Sequence, residues 1–278
     1  GLAESRIFDR AVLDQAEQEL KKQYFARGKY SVEIKSTVTP LERNRVAVNF
    51  DISEGDVATI HQINIVGNET FSESELLDTF ALATTGWMSW FTKNDQYSKQ
   101  KLSADLETLR SYYLNRGYLE FNIESTQVNI STDKKKIFIT VNVNEGKRYT
   151  VSDVKVGGEL LIPEEEIRKL IKIDAGDVFS RELVNESSSA ISDRLGNDGY
   201  AFANVNAVPE LNKEKQTVAF TFFVDPGRRV YVRRINIAGN TRTRDEVVRR
   251  EIRQMEGGWY TNTKIRRSKE RLDLLGYF

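Results

Sequence analysis

The chain has 278 residues, 41 basic against 41 acidic side chains, one histidine and no cysteine. Disulfides, thiolate metal sites and cysteine nucleophiles are therefore excluded. With 39% apolar and 29% charged residues the composition is globular, and no apolar run approaches the ~18 residues of a membrane-spanning helix.

Gly1 runs at once into helix-like sequence with no secretory leader pattern, as expected of a piece cut from a longer protein. The first predicted helix starts at Asp9, whose side chain can cap free backbone N–H groups, and ends at Gly28. Phe8 and Leu13 flank the cap as a hydrophobic staple. Two strands follow, Tyr30–Val32–Ile34 and Val46–Val48–Phe50–Ile52, joined by the polar turn LERN. The period of two implies one buried and one wet face.

From residue 56 the order lengthens. A strand carries Ile63 and Ile65 and closes at Gly67; a short helix carries Leu76, Leu77 and Phe80. A second helix runs from the cap Ser98 to Gly117, with Tyr97 and Leu102 as its staple. Then come Leu119, Phe121 and Ile123 on one strand, the turn TDKKK, and Ile137, Ile139, Val141 and Val143 on another. The lone His61 lies on the exposed face of the opening strand, opposite Ile60, and reads as a solvated strand residue rather than a catalytic base.

Residues 147–227 write the same order again: Val154 and Val156, then Ile167, Leu170 and Ile171, then a helix from Ser180 to Gly199, then a strand pair ending in Val218, Phe220, Phe222 and Val224. Residues 228–278 begin it once more, with Ile235 and Ile237 as a strand, Val247, Val248 and Ile252 as the short helix, and a helix from Thr261 to Gly276. The four helix-ending glycines stand 89, 82 and 77 residues apart. The expected fold class is thus α+β, a tandem β-α-α-β-β repeat in which a three-stranded mixed sheet packs on two helices. Residues 56–146 and 147–227 are complete units, 1–55 the back half of one and 228–278 the front half of another. No Gly/Ser or Pro-rich linker separates them, so a stiff array is expected.

Three features suggest binding surfaces. In the second strand of the 56–146 unit the apolar phase changes between Ile123 and Val128/Ile130. A bulge near Ser125–Thr126 explains it, and either returns Val128 and Ile130 to the core or presents them at an edge to a partner. An insertion of nine residues relative to the other units, around GWMSWFTKN, carries Trp87 and Trp90. These either fold over the small core or form a contact surface. The last unit holds 14 basic against 6 acidic residues, while both complete units are acidic. This is either a solvated surface or a field for an acidic partner or anionic head groups. No G-x-x-x-x-G-K, G-x-G-x-x-G or H-E-x-x-H motif occurs, so no cofactor or metal site is expected and an enzyme is the weaker reading.

The element order and the helix end of the type L-x-x-x-G-Y-F (Leu272–Phe278) resemble the POTRA (polypeptide-transport-associated) family. INIVGN (63–68), KQKLSADLETLRSYYLNRGY (99–118) and RREIRQMEGGW (249–259) are similar to the third and fifth units of the POTRA arrays of outer-membrane β-barrel assembly factors. On that resemblance the chain runs from the second half of a second unit to the first half of a fifth, without the family's membrane barrel. The resemblance implies a non-enzymatic periplasmic scaffold tied to the outer membrane. It also implies unfolded outer-membrane proteins and the accessory lipoproteins of the assembly complex as partners. In the family the second strand of the unit is the open edge, a propeller lipoprotein docks on the third unit, and a helical lipoprotein docks on the fifth. Matching RREIRQMEGG position by position points to Arg249 and Glu256 for the last contact. The POTRA region of a related secretion transporter is the alternative within the fold. From another class, an RNA-binding array is conceivable, but the KH-type G-x-x-G clamp is replaced by Met255-Glu256-Gly257-Gly258-Trp259.

Overall fold

The structure is a computed structural model that describes residues 7–84 and 94–276. It divides into two compact units, Gly1–Tyr113 with Glu120–Gly146, and Leu114–Leu119 with Lys147–Phe278.

In the first unit, helix α1 (Arg10–Ala26) is capped by Asp9, which accepts from Ala11 N–H at 2.8 Å. Strands β1 (Glu33–Leu41) and β2 (Arg45–Ser53) form an antiparallel pair. Leu13, Val32 and Ile34 are buried where helix meets sheet. The next repeat contains β3 (Thr59–Val66), α2 (Glu73–Leu77), α3 (Lys99–Leu114), β4 (Asn122–Ile130) and β5 (Lys136–Asn144). Its sheet order is β3-β5-β4, with β3 parallel and β4 antiparallel to β5. The parallel pair requires a long crossover, which the two helices supply. Ile137, Ile139, Val141 and Val143 of β5 are buried, as are Leu76, Leu102, Leu109 and Tyr113 of the helices, so the strict alternation read from sequence is the core face.

The second unit repeats this with β6 (Thr150–Gly158), α4 (Glu164–Arg168), α5 (Arg181–Asn197), β7 (Asn204–Asn212) and β8 (Thr217–Asp225) in the order β6-β8-β7. Residues 228–276 add α6 (Asp245–Arg249) and α7 (Asn262–Asp273). The strand expected at Ile235 and Ile237 does not form: 233–238 is irregular, and only an isolated bridge joins Tyr231 to Trp259. A strand needs a ladder partner, and none of the described residues supplies one. An apolar groove of about 560 Å³, lined among others by Ile235, Ile237, Val248, Ile265 and Leu272, lies there. In the preceding repeat the equivalent side chains pack on the β7–β8 hairpin.

One backbone relay recurs where repeats join. The carbonyl of the helix-ending glycine accepts from the residue that opens the next repeat: Ala58 N–H to Gly28 at 2.9 Å, Tyr149 to Gly117 at 2.8 Å, Val230 to Gly199 at 2.9 Å. That residue's own carbonyl accepts from the aromatic before the next helix cap: Tyr97 at 3.3 Å, Phe179 at 3.1 Å, Tyr260 at 3.1 Å. Gly117 has φ of 99°, and a Cβ there would lie 2.8 Å from Arg148 Cγ and 2.9 Å from Val178 Cγ1. The marker glycine is therefore required both by its left-handed backbone and by the close approach of the following repeat. Arg148 and Arg229 reinforce their joints by donating to the carbonyls of Arg116 (3.3 Å) and Asp198 (2.7 Å). At the first joint Val57 packs over Gly28 instead, beside the half-buried Tyr30 and the buried Tyr97. Burial, with Tyr97 alongside, pushes the Tyr30 hydroxyl up to about 12.

Candidate interaction surfaces

The first surface is the edge of β4. This strand pairs only with β5, and its other side carries no strand among the described residues. The register shifts between Ile123 and Ser125, so the bulge falls at Glu124, just before the predicted place. Beyond it Val128 stands opposite Ile139 and Ile130 opposite Ile137. Cross-strand partners share a face, so both side chains return to the core side, Val128 half-buried and Ile130 39% exposed. Their backbone does the opposite. Ser131 N–H bonds Lys136 O across the ladder at 2.9 Å. Bonded and non-bonded pairs alternate in an antiparallel ladder, so the N–H and C=O groups of Ile130 and Val128 face away from β5.

The sibling edges differ at those two places. In β7, Pro209 stands opposite Phe220, the counterpart of Ile139. In β1, Pro40 stands opposite Val46, the counterpart of Ile137. Proline in an edge strand removes an outward donor and blunts the edge. Of the three equivalent strands, β4 alone keeps every donor. Trp87 and Trp90 of the insertion lie outside the described residues.

The second surface is the basic last repeat. Arg249 donates to Asp245 at 2.5 Å, to Glu256 at 3.4 Å and to the Ile235 carbonyl at 3.2 Å, while Glu256 accepts from Ile235 N–H at 2.8 Å. Asp245 chiefly raises the Arg249 guanidinium's pKa, and the Ile235 N–H chiefly lowers that of the Glu256 carboxyl. The sequence-predicted pair is thus brought together, and it braces the backbone of 235 within its own repeat. Arg168 does likewise one repeat earlier, pairing with Glu164 and donating to the Val154 carbonyl at 3.3 Å. Arg250 and Arg271 both hold the largely buried Glu251. No ion pair or hydrogen bond engages the side chains of Arg233, Arg242, Arg244, Arg253 or Arg267 among the described residues, while Arg234 lies near enough to Glu256 to help lower its pKa.

Sequence reasoning missed two sets of buried polar side chains. Seven residues after each of three helix caps stands Asp105, Ser187 or Ser268. Asp105 accepts from Ala81 and Leu82 N–H at 2.8 and 3.0 Å; Ser187 accepts from Lys172 N–H and Ser268 from Arg253 N–H, each at 2.8 Å. Each side chain ties the chain after the short helix to the long helix. The second set centres on Glu145, which takes hydrogen bonds from Tyr113 Oη (2.8 Å), Thr70 Oγ1 (2.6 Å) and Thr70 N–H. A buried-polar slot at a fixed offset from the cap was the available signal.

Among the described residues no cluster of His, Asp and Glu could hold a metal ion. No helix there is long and apolar enough to cross a membrane. The family model "POTRA: Surface antigen variable number repeat" matches residues 1–55, 58–146, 149–227 and 230–278. The chain belongs to the POTRA family. It is 40% identical over its whole length to the outer membrane protein assembly factor BamA of Neisseria meningitidis serogroup B. It is 33% identical over 93% of its length to the factor of that name from Buchnera aphidicola. It spans 35% and 42% of those two proteins. Among solved structures, Haemophilus influenzae BamA POTRA3-5 is similar at 33% identity and a TM-score of 0.71, covering 80% of this chain and 87% of that one.

Proposed function

We propose that this chain is the periplasmic POTRA array of an outer-membrane protein assembly factor, divided into repeats at 1–55, 56–146, 147–227 and 228–278. It acts as a non-enzymatic scaffold attached to the outer membrane through a barrel elsewhere in the whole protein. Its partners are unfolded outer-membrane proteins and accessory lipoproteins. The named relatives and the POTRA family model support the setting. They favour it over a secretion transporter, because both named relatives are assembly factors.

The observation that carries the binding mode is the β4 edge. Val128 and Ile130 present outward main-chain groups where the sibling strands hold Pro209 and Pro40. An extended client or lipoprotein segment adds there as a further strand, taking affinity from main-chain bonds and so tolerating many sequences. Trp87 and Trp90 of the insertion are a further candidate contact for a partner or client. A helical lipoprotein docks on the last repeat at Arg249 and Glu256, and the repeat's unpaired arginines attract anionic head groups.

Val128→Pro and Ile130→Pro test the edge. The siblings already carry proline at these places, so both variants are expected to melt close to wild type. Both should lose capture of lipoprotein and unfolded clients. Undiminished capture by folded variants would overturn strand addition at β4. Glu256→Lys is expected to weaken docking of the helical lipoprotein at this contact. A melting curve must accompany it, because the same carboxylate braces Ile235.

A further inference from the structure

The two complete repeats differ on the outer face of their sheets, the face turned away from the helices. Cross-strand partners share a face, so the register names the residues there. In the 147–227 repeat Val218, Phe220, Phe222 and Val224 of β8 take the core face. On the other face Phe223 stands between Gly157 of β6 and Asn206 of β7, and Thr221 stands between Lys155 and Val208. In the 56–146 repeat the same two rows read Val66, Asn142, Ser125 and Asn64, Thr140, Gln127. Phe223 and Val208, 52% and 50% exposed, thus replace Asn142 and Gln127. Gly157 has no side chain to cover the ring beside it, where Val66 stands in the other repeat. Phe202, 77% exposed, lies at the same end of the sheet: its carbonyl is 3.8 Å from a Cβ placed on Gly227, just beyond β8. Its counterpart, three residues after the helix-ending glycine, is Glu120. The aromatic that the 56–146 repeat carries on this face, Phe138, is half-buried, with His61 edge-on at 5.3 Å. The wet face of a sheet is ordinarily polar, so bare apolar side chains in adjacent rows mark a contact surface.

Charge at the ends of the patch gives the sign of its partner. Successive rows along the β7–β8 pair read Asn204–Asp225, Asn206–Phe223, Val208–Thr221 and Glu210–Ala219. The order is acid, apolar, apolar, acid, with Asp225 and Glu210 roughly 20 Å apart along the strands, at ~6.8 Å per row. Neither acid enters an ion pair among the described residues. Lys155, the basic side chain in these rows, pairs with Asp153 at 3.3 Å. The main chain of β8 is bonded on both sides, so an occupant of this face reads side chains rather than adding a strand. A helix laid on the sheet does so. Its apolar stripe needs about 13 residues to span that distance, and complementarity asks for Lys or Arg at both ends. Anionic head groups would meet like charge here, and a second copy would set acid against acid.

We propose that the outer sheet face of the 147–227 repeat, centred on Phe223 and Val208, docks a cationic amphipathic helix of a partner protein, whose basic residues meet Asp225 and Glu210. It is a second contact surface, independent of strand addition at β4. The probe is a fluorescein-labelled synthetic helix with a leucine stripe and lysines at both ends; its counterpart carries glutamates in their place. Fluorescence anisotropy against the 278-residue chain at low salt is expected to show binding of the lysine helix and none of the glutamate helix. Phe223→Asn, which installs the residue of the sibling repeat, is expected to weaken binding about tenfold, the effect of losing one buried apolar side chain. Val208→Gln and Glu210→Gln should weaken it less, and all three should keep the wild-type melting curve. Undiminished binding by Phe223→Asn would overturn the face as the site. So would equal binding of the glutamate helix, which would remove the charge complementarity. Val128→Pro is expected to leave the lysine helix bound; loss in that variant would assign the probe to the β4 edge instead. Sedimentation of the free chain is expected to be the same with and without Phe223→Asn. Self-association lost in that variant would assign the face to a second copy and overturn the cationic occupant.

Discussion

The two complete repeats share order, register and joints, yet fill equivalent slots with different chemistry. In residues 56–146 the long helix carries Tyr113, whose hydroxyl donates to the buried Glu145 beside the closing turn. In 147–227 the same two places hold Leu195 and Pro226, both buried. A polar pair fills the two places in one repeat and two buried apolar residues fill them in the other, so the slot is specified by matching rather than by residue type. The slot seven residues after the cap differs too, a carboxylate bonding two N–H groups at Asp105 and a hydroxyl accepting one at Ser187. The edges differ most for function: β4 is open where β7 is blunted by Pro209.

Substitutions can sharpen this contrast. Asp105→Ala strands one buried and one partly buried N–H group and is expected to cost about 3 kcal/mol, against about 1.5 kcal/mol for Ser187→Ala. Chemical denaturation of each variant checks the ranking, and equal losses would contradict it. Tyr113→Phe removes one donor from Glu145 and is expected to cost about 1–2 kcal/mol. A Tyr113→Phe/Glu145→Gln double-mutant cycle should show positive coupling.

The joints offer a smaller, pH-dependent comparison. Tyr30 is raised to about 12 from its ordinary 10.0. The folded state resists ionisation, so this contribution is fully present below pH about 10, declines from there, and is lost once pH has risen through about 12. The joint at Gly28 should therefore loosen in that window while the arginine-braced joints at Gly117 and Gly199 do not. Ultraviolet titration of phenolate, compared with a Tyr30→Phe variant, measures it. Smallest in stability are the edge prolines at 128 and 130, expected within about 1 kcal/mol of wild type because they remove no ladder bond.

Much of the fold was legible in sequence because the repeat writes it several times. Caps, staples, marker glycines and alternating strands each follow from local chemistry, and the Asp9 and Ser180 side chains cap their helices as read. What was not legible depends on partners distant in the chain. Thr261 sits at its cap position without a side-chain capping bond. Ile235 and Ile237 alternate like a strand, but alternation cannot supply a ladder. Tyr113 and Glu145 were each visible, but their pairing across 32 residues needs the sheet. Arg249 and Glu256, chosen for an outside partner, proved to brace their own repeat, which only geometry could reveal. The phase change after Ile123 did mark a bulge. It could not tell that the side chains turn inward while the main chain faces out.

The central claim is that β4 accepts an added strand. Hydrogen exchange resolved by residue, with and without an extended β-prone client peptide, tests it most directly. New protection is expected at Val128 and Ile130, whose N–H groups face outward. Little change is expected at Gln127 and Asn129, which already bond to β5. Unchanged exchange at Val128 and Ile130 with client bound, or protection gained instead along β7, would contradict the account.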